Sequence, residues 1–178
     1  MKPGLLTLLA FLTLTALSCA TEPAKDPVTD SKYFLGKISR LADSLIKPAA
    51  RHPRRAAIME FVNTNGKTSQ FGRYLTSKFT EISVGKNLFV TPAEGEVSKS
   101  LKQLNLAYNG TIDGASAKKL GEALGCDAII VGTVSDLQKG SDVDLTVKMI
   151  DAKTGIVVSA SSASFFRSKQ VSSMLESF

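Results

Sequence analysis

Cys19 closes a run of sixteen uncharged, mostly apolar residues, Pro3 to Ser18, that follows a single Lys2. A positive start, an apolar stretch shorter than the roughly 20 residues that cross a bilayer, and small residues before the break are marks of a cleaved secretory peptide. The thiol at its edge reads as an acceptor for lipid. A signal peptide with an incidental cysteine and a plain membrane anchor are the alternatives, the second weakened because no basic cluster follows at once. The chain has two cysteines and one histidine. If Cys19 carries lipid, Cys126 has no partner within the chain, and stability must come from packing without an internal disulfide. Cys126 follows a helix-ending glycine and precedes an apolar run, which is the setting of a small buried thiol. A nucleophile there needs a positioned base. His52 sits among Arg51, Pro53, Arg54 and Arg55 and reads as an exposed linker residue rather than a general base.

Gly66-Lys67-Thr68 invites a phosphate-loop reading, because main-chain amides and a helix N-terminus favour an anion. That motif needs glycine five positions earlier, where Phe61 stands, so the cradle cannot form. A turn and helix start, capped by Thr68 or Ser69, accounts for the segment. Asp136, Asp142 and Asp144 lack the spacing and terminal glutamate of a calcium loop. Glu60 interrupts an apolar run and must reach an exposed face or find a partner, with the exposed face the simpler solution. The reading is no catalytic residue, no cofactor and no metal. The end of the apolar leader resembles a bacterial lipobox, in which the cysteine is diacylated and becomes the acylated amino terminus. Ala16 departs from it where leucine is commonest.

These groups are positioned by a short series of elements. Residues 1–18 read as the lipoprotein signal peptide and 19–30, with Pro23 and Pro27, as a flexible tether. Phe34, Ile38, Leu41 and Leu45 recur three or four apart, predicting an amphipathic helix from Ser31 to Lys47 stopped by Pro48. With the basic linker it makes up residues 31–55, lies ahead of the main domain, and offers Phe34, Ile38, Leu41 and Leu45 as a candidate interaction face. That face must pack on its own domain or on a neighbour. From Ala56 to Val62 an apolar run predicts a buried strand, and Leu88 to Thr91 a second short one before Pro92. Between them Phe71, Leu75, Phe79 and Ile82 have helical spacing. Val97, Leu101 and Leu104 mark another helix, and Ala117, Leu120 and Leu124 a further one ending at Gly125. Asp127 to Val134 reads as the central strand. Val143, Leu145, Val147 and Met149 alternate with polar residues and, through the turn Asp151 to Gly155, pair with Ile156 to Phe165 as an antiparallel hairpin. The fold class is α/β: one domain, residues 56–166, with a mixed sheet of about five strands covered by helices. Residues 167–178 form a tail or a short docked helix.

Lys119 to Val134 and Val147 to Val158, with the earlier Ala57 to Val62 and Gly72-Arg73-Tyr74-Leu75, resemble the domain of FlgO-like flagellar outer-membrane lipoproteins. The periplasmic parts of CsgG-like curli secretion proteins and LpoB-like penicillin-binding-protein activators are related to it in fold. The resemblance implies a domain anchored to the periplasmic face of the outer membrane, without catalytic residues. Ala20, after the cysteine, lacks the aspartate that signals inner-membrane retention in enteric bacteria. A curli-type pore needs membrane hairpins, and the one hairpin here belongs to the core sheet. An activator of wall synthesis usually has a longer tether; about ten residues reach roughly 30 to 36 Å.

The net charge of +6 biases association toward anionic surfaces without naming a partner, and an exported chain is a poor nucleic-acid binder. The expected partners are envelope or flagellar basal-body proteins and the membrane itself through the lipid, with self-association left open. The leading function is a non-enzymatic assembly module, first of the flagellum. The alternatives are regulation of cell-wall synthesis, a curli-secretion-like accessory role and, last, an envelope hydrolase using Cys126.

Overall fold

A strand that is apolar at successive positions must find cover on both sides of its sheet, because successive side chains point to opposite faces. A computed structural model describes residues 31–49, 52–137 and 142–176. Cys19, the tether, Arg51 and residues 138–141 lie outside the described residues. The elements run α1 Lys32–Ile46, β1 Ala56–Ile58, β2 Val62–Asn63, α2 Gln70–Gly85, α3 Glu96–Gln103, α4 Gly114–Leu124, β3 Ala128–Ser135, β4 Asp142–Asp151, β5 Val157–Phe166 and α5 Lys169–Glu176. They form a five-stranded mixed sheet of order β1-β3-β4-β5, with β2 also paired to β3. β1 and β2 run parallel to β3, and β4 and β5 follow antiparallel. The fold is the mixed α/β domain that the periodicities predict, with β3 in its interior.

The two faces of the sheet carry two cores. Ile130, Val134, Val143, Leu145, Val147 and Met149 point to one side, where α1, α2 and α5 cover them. Ile129, Val131 and Ile150 point to the other, under α3 and α4. This is the period-two alternation of a strand buried on both faces. Asp113 caps α4 by accepting from the N–H groups of Ala115 and Ser116 at 2.9 and 3.0 Å. The same helix closes on Gly125, whose φ of +60° a side chain rarely adopts. Ser69 is the N-cap of α2, accepting from the Gly72 N–H at 3.1 Å, so the segment after Gly66 is the helix start expected of it.

Two sequence expectations need correction. The helix α1 is not an appendage: Phe34, Ile38 and Leu45 are fully buried and Leu41 is 2 % exposed, in the same core as the sheet. Phe34 stacks on Phe165 at 5.4 Å and meets the edge of Phe71 at 6.4 Å. Lys37 Nζ and Tyr33 Oη reach the outer edge of β5, Nζ donating to the Ser164 carbonyl and Oη accepting the Phe166 N–H. An amphipathic face next to an uncovered sheet is used first by its own chain, because burial there needs no second molecule. The candidate interaction face Phe34, Ile38, Leu41, Leu45 is therefore occupied, and α1 belongs to the domain.

The second correction concerns the strands at the β1 edge. The apolar run Ala56 to Val62 is broken, not continuous. Ile58 lies opposite Ile130 and Val62 opposite Thr133, so one strand takes four steps where β3 takes three, which is a one-residue bulge. Leu88 to Thr91 contributes only a single parallel bridge, Arg55 to Val90. The docked C-terminal helix, left open by the sequence, is present as α5, with Val171 fully buried.

Asp127 ties the basic linker to the sheet, its Oδ2 accepting the N–H groups of Arg54 and Arg55 at 3.0 and 3.2 Å. Partial burial works against its charge, but those two main-chain bonds and the nearby Arg54 and Lys153 hold the carboxyl below its ordinary value. A depressed folded-state value means a contribution fully present above the unfolded carboxylate value, about 3.9, and lost as pH falls through the folded one. Asp127→Asn is therefore expected to lower stability more at pH 7 than at about pH 2. Denaturant titrations of both proteins at the two pH values check this, and an equal loss at both would show that the charge is irrelevant.

Candidate functional site

The bulge shapes a groove of about 930 Å³ between α2 and α3. Its formation follows from the packing of α2 on the bulged strand. The Gly72 main chain sits so close to the Phe61 carbonyl that a Cβ there would lie 2.2 Å from the oxygen, which lets the first turn of α2 press against the bulged strand. The Phe61 N–H then donates to Thr76 Oγ1 at 2.8 Å instead of to a strand. Thr76 Oγ1 in turn donates to the Gly72 carbonyl at 2.9 Å. The extra residue turns Glu60 outward, where its Oε2 accepts from Thr68 Oγ1 at 3.2 Å, so the expected exposed placement of Glu60 holds.

The groove has two unlike walls. α2 presents Arg73, Thr76, Ser77, Thr80 and Glu81, a polar face at helical spacing. α3 presents Val97 and Leu101, and the floor holds Ile58, Met59 and Tyr108. Tyr108 Oη is shut off from solvent, with the Gly132 main chain beside it. Desolvation pushes its phenol well above the ordinary range, opposed by the Gly132 main chain and reinforced by Glu60, so it stays neutral. Arg55 fixes the start of α3 beside β1 through an ion pair with Glu96 at 3.4 Å.

Nothing in this arrangement activates a nucleophile. Cys126 is buried, and its Sγ lies 3.7 Å from the Leu124 carbonyl. Burial pushes the thiol up, with Arg55 only partly opposing, which leaves less thiolate than a free cysteine has. His52 is exposed and not among the groups that perturb Cys126. Among the described residues no three His, Cys, Asp or Glu side chains are placed to share a metal ion, and no helix is long and apolar enough to cross a membrane. Cys19, the predicted lipid acceptor, lies outside the described residues, and the expected helix face is spent on the core. The groove was missed by sequence reasoning. Its signals were present in Pro92 directly after a short apolar run and in Glu60 within another.

The C-terminal domain of LpoB from Escherichia coli superimposes with a TM-score of 0.60 at 12% identity, over 74% of this chain and 96% of that one. The corresponding domain from Salmonella enterica gives 0.59 at 14% identity over the same shares. The solution structure of E. coli LpoB gives 0.60 at 11% identity, over 92% of this chain and 78% of that one. At such identities the likeness is one of fold. No curated protein sequence matches the chain. The model of the family described as FlgO protein matches residues 39–170, a span that begins inside α1 and ends inside α5 and so takes in the whole sheet: the chain belongs to the FlgO protein family.

Proposed function

We propose that this protein is a lipid-anchored, non-enzymatic component of the bacterial envelope, held through Cys19 at the periplasmic face of the outer membrane, whose domain binds other proteins of a surface assembly. The family match over residues 39–170 carries the reading, and the apolar leader ending at Cys19 supports the anchor. The flagellum is the assembly that the family points to first. Control of cell-wall synthesis is the second reading, favoured by the likeness of fold to the LpoB domain and disfavoured by a tether of only about ten residues, which spans roughly 30 to 36 Å.

Crosslinking in intact cells, followed by identification of what is joined to the domain, tests the interaction role. Loss of motility or of flagellar retention on deletion supports the flagellar reading, and altered sensitivity to wall-targeting antibiotics with normal motility supports the second. A deletion strain normal in all three, with no crosslinked protein, overturns both. The anchor has its own test. Cys19→Ser is expected to abolish incorporation of labelled palmitate and to shift the protein from the outer-membrane fraction to a soluble or uncleaved form; continued attachment after cleavage would remove the lipid from the argument.

A further inference from the structure

The groove exists because a strand stops early. In the parallel ladder at the outer edge of β1, the Val90 N–H donates to the Arg54 carbonyl and the Ala56 N–H donates to the Val90 carbonyl, both at 2.9 Å. The next bond of a parallel ladder would run from the N–H of residue 92 to the Ala56 carbonyl, and residue 92 is proline, which has no N–H. The chain therefore leaves the sheet at Pro92, and residues 91–93 line the groove instead of pairing across it. On its inner side β1 is satisfied, the Met59 N–H donating to the Ile130 carbonyl at 2.8 Å. Main-chain groups alternate sides along a strand, so the N–H and carbonyl of Ile58 share the outward side of Ala56 and face the groove. A sheet edge with free main-chain groups is a template for one more strand.

The walls state what that strand must be like. Successive side chains of an extended segment point to opposite sides, and here one side meets Val97 and Leu101 of α3 while the other meets the hydroxyls of Thr76, Ser77 and Thr80 on α2. The charges are graded along the groove. Arg73 belongs to the first turns of α2 and Glu81 to its last, about 12 Å further along the helix at 1.5 Å per residue. Lys102 lies at the end of α3, and Glu94 just before its start. Because Arg55 holds the start of α3 near the start of β1, and α2 begins against the bulge that follows β1, Lys102 falls at the Arg73 end and Glu94 at the Glu81 end. Glu60 tempers the first pair, and Lys78, 3.0 Å from Glu81, the second. About 12 Å is spanned by four steps of strand at about 3.3 Å each.

We infer that this groove docks an extended segment of a partner protein, which adds a strand at Ile58 where Pro92 ends the chain's own. That segment carries aliphatic residues at alternate positions, no central proline, an acidic side chain at the Arg73 end and a basic one about four residues away at the Glu81 end. The inference rests on the reading of the domain as a protein-binding module and specifies the face and the chemistry it uses.

A display library of random seven-residue peptides, panned against the full-length protein in detergent micelles, tests this with free synthetic copies of the selected sequences. Enrichment of alternating aliphatic peptides with opposite charges four apart is expected. Their affinity is expected to fall about tenfold on Glu81→Lys with Glu94→Lys and to recover when the basic residue of the peptide is exchanged for an acidic one. Hydrogen exchange at the Ile58 amide is expected to slow on binding. Ser77→Trp, at an exposed position that fills the groove, provides a second variant, and the thermal transitions of all variants are compared with the parent. No enrichment, or binding indifferent to both the charge reversals and Ser77→Trp, overturns the proposal. Concentration-dependent self-association lost on Ser77→Trp overturns it in favour of a second copy as occupant. Crosslinking in cells that still captures a partner with Ser77→Trp removes the groove while leaving the interaction role intact.

Discussion

Ile38→Asp combined with Leu41→Asp is expected to leave the protein without a cooperative thermal transition. Ile38 is fully buried and Leu41 2 % exposed, both in the core formed with the sheet and α2. Each substitution removes about 1.5 to 3 kcal/mol of apolar burial and places a carboxylate where its effective desolvation cost is several kcal/mol. A domain of this size has a total stability of about 5 to 15 kcal/mol, so the pair consumes most or all of it. Protonation of the buried acids would soften the loss at low pH without restoring the packing. Circular dichroism melts of the full-length protein are the measurement. A retained transition at the parent temperature, with association lost, would mean that α1 detaches from the domain and serves as the contact face. The same logic bears on truncation: a protein begun at Ala56 lacks the Phe34 ring against Phe165 and Phe71, and exposes one face of β4 and β5.

That helix shows where sequence reasoning carries and where it stops. The spacing of Phe34, Ile38, Leu41 and Leu45 specifies a helix with one apolar face, and the structure contains it as Lys32–Ile46. Periodicity says which side is apolar but not what covers it, since a sheet of the same chain and a foreign surface make the same demand on those residues. The alternation in β4 was more informative, because a period of two fixes both the strand and the face: Val143, Leu145, Val147 and Met149 are all buried as expected. Gly125 marks the end of α4 through local chemistry alone, whereas the helix's cap Asp113 emerged only from the structure. The bulge at Met59 to Phe61 was illegible for the opposite reason. It depends on the approach of Gly72 to the Phe61 carbonyl, a contact eleven residues away in sequence that no local propensity encodes. The groove inherits that difficulty, since its walls come from α2 and α3 and its floor from an edge whose missing neighbour is decided by Pro92. Cys19, the proposed lipid acceptor, is the converse case, an expectation that rests on chemistry and spacing in the leader, without any contribution from tertiary structure.

Ile130→Ala is expected to cost about 2 to 5 kcal/mol, through lost transfer free energy and the cavity left behind. The residue is fully buried in β3, with Ile58 opposite it on one side and Met149 on the other. Its side chain points into the core shared with α1 and α2. Neighbours held by a parallel ladder on one side and an antiparallel one on the other have little freedom to close the space, which places the effect toward the upper part of the range. Ile130→Val, which removes one methylene, is expected to cost only about 0.5 to 1.5 kcal/mol. The two substitutions together separate a packing effect from a change of strand propensity, because valine keeps the β-branch and alanine does not. Denaturant titration at neutral pH measures both, with an unchanged slope showing that the unfolded states are comparable. A cost below about 1 kcal/mol for Ile130→Ala would mean that the site collapses onto the cavity, and that β3 is less firmly clamped between its neighbours than its pairing indicates.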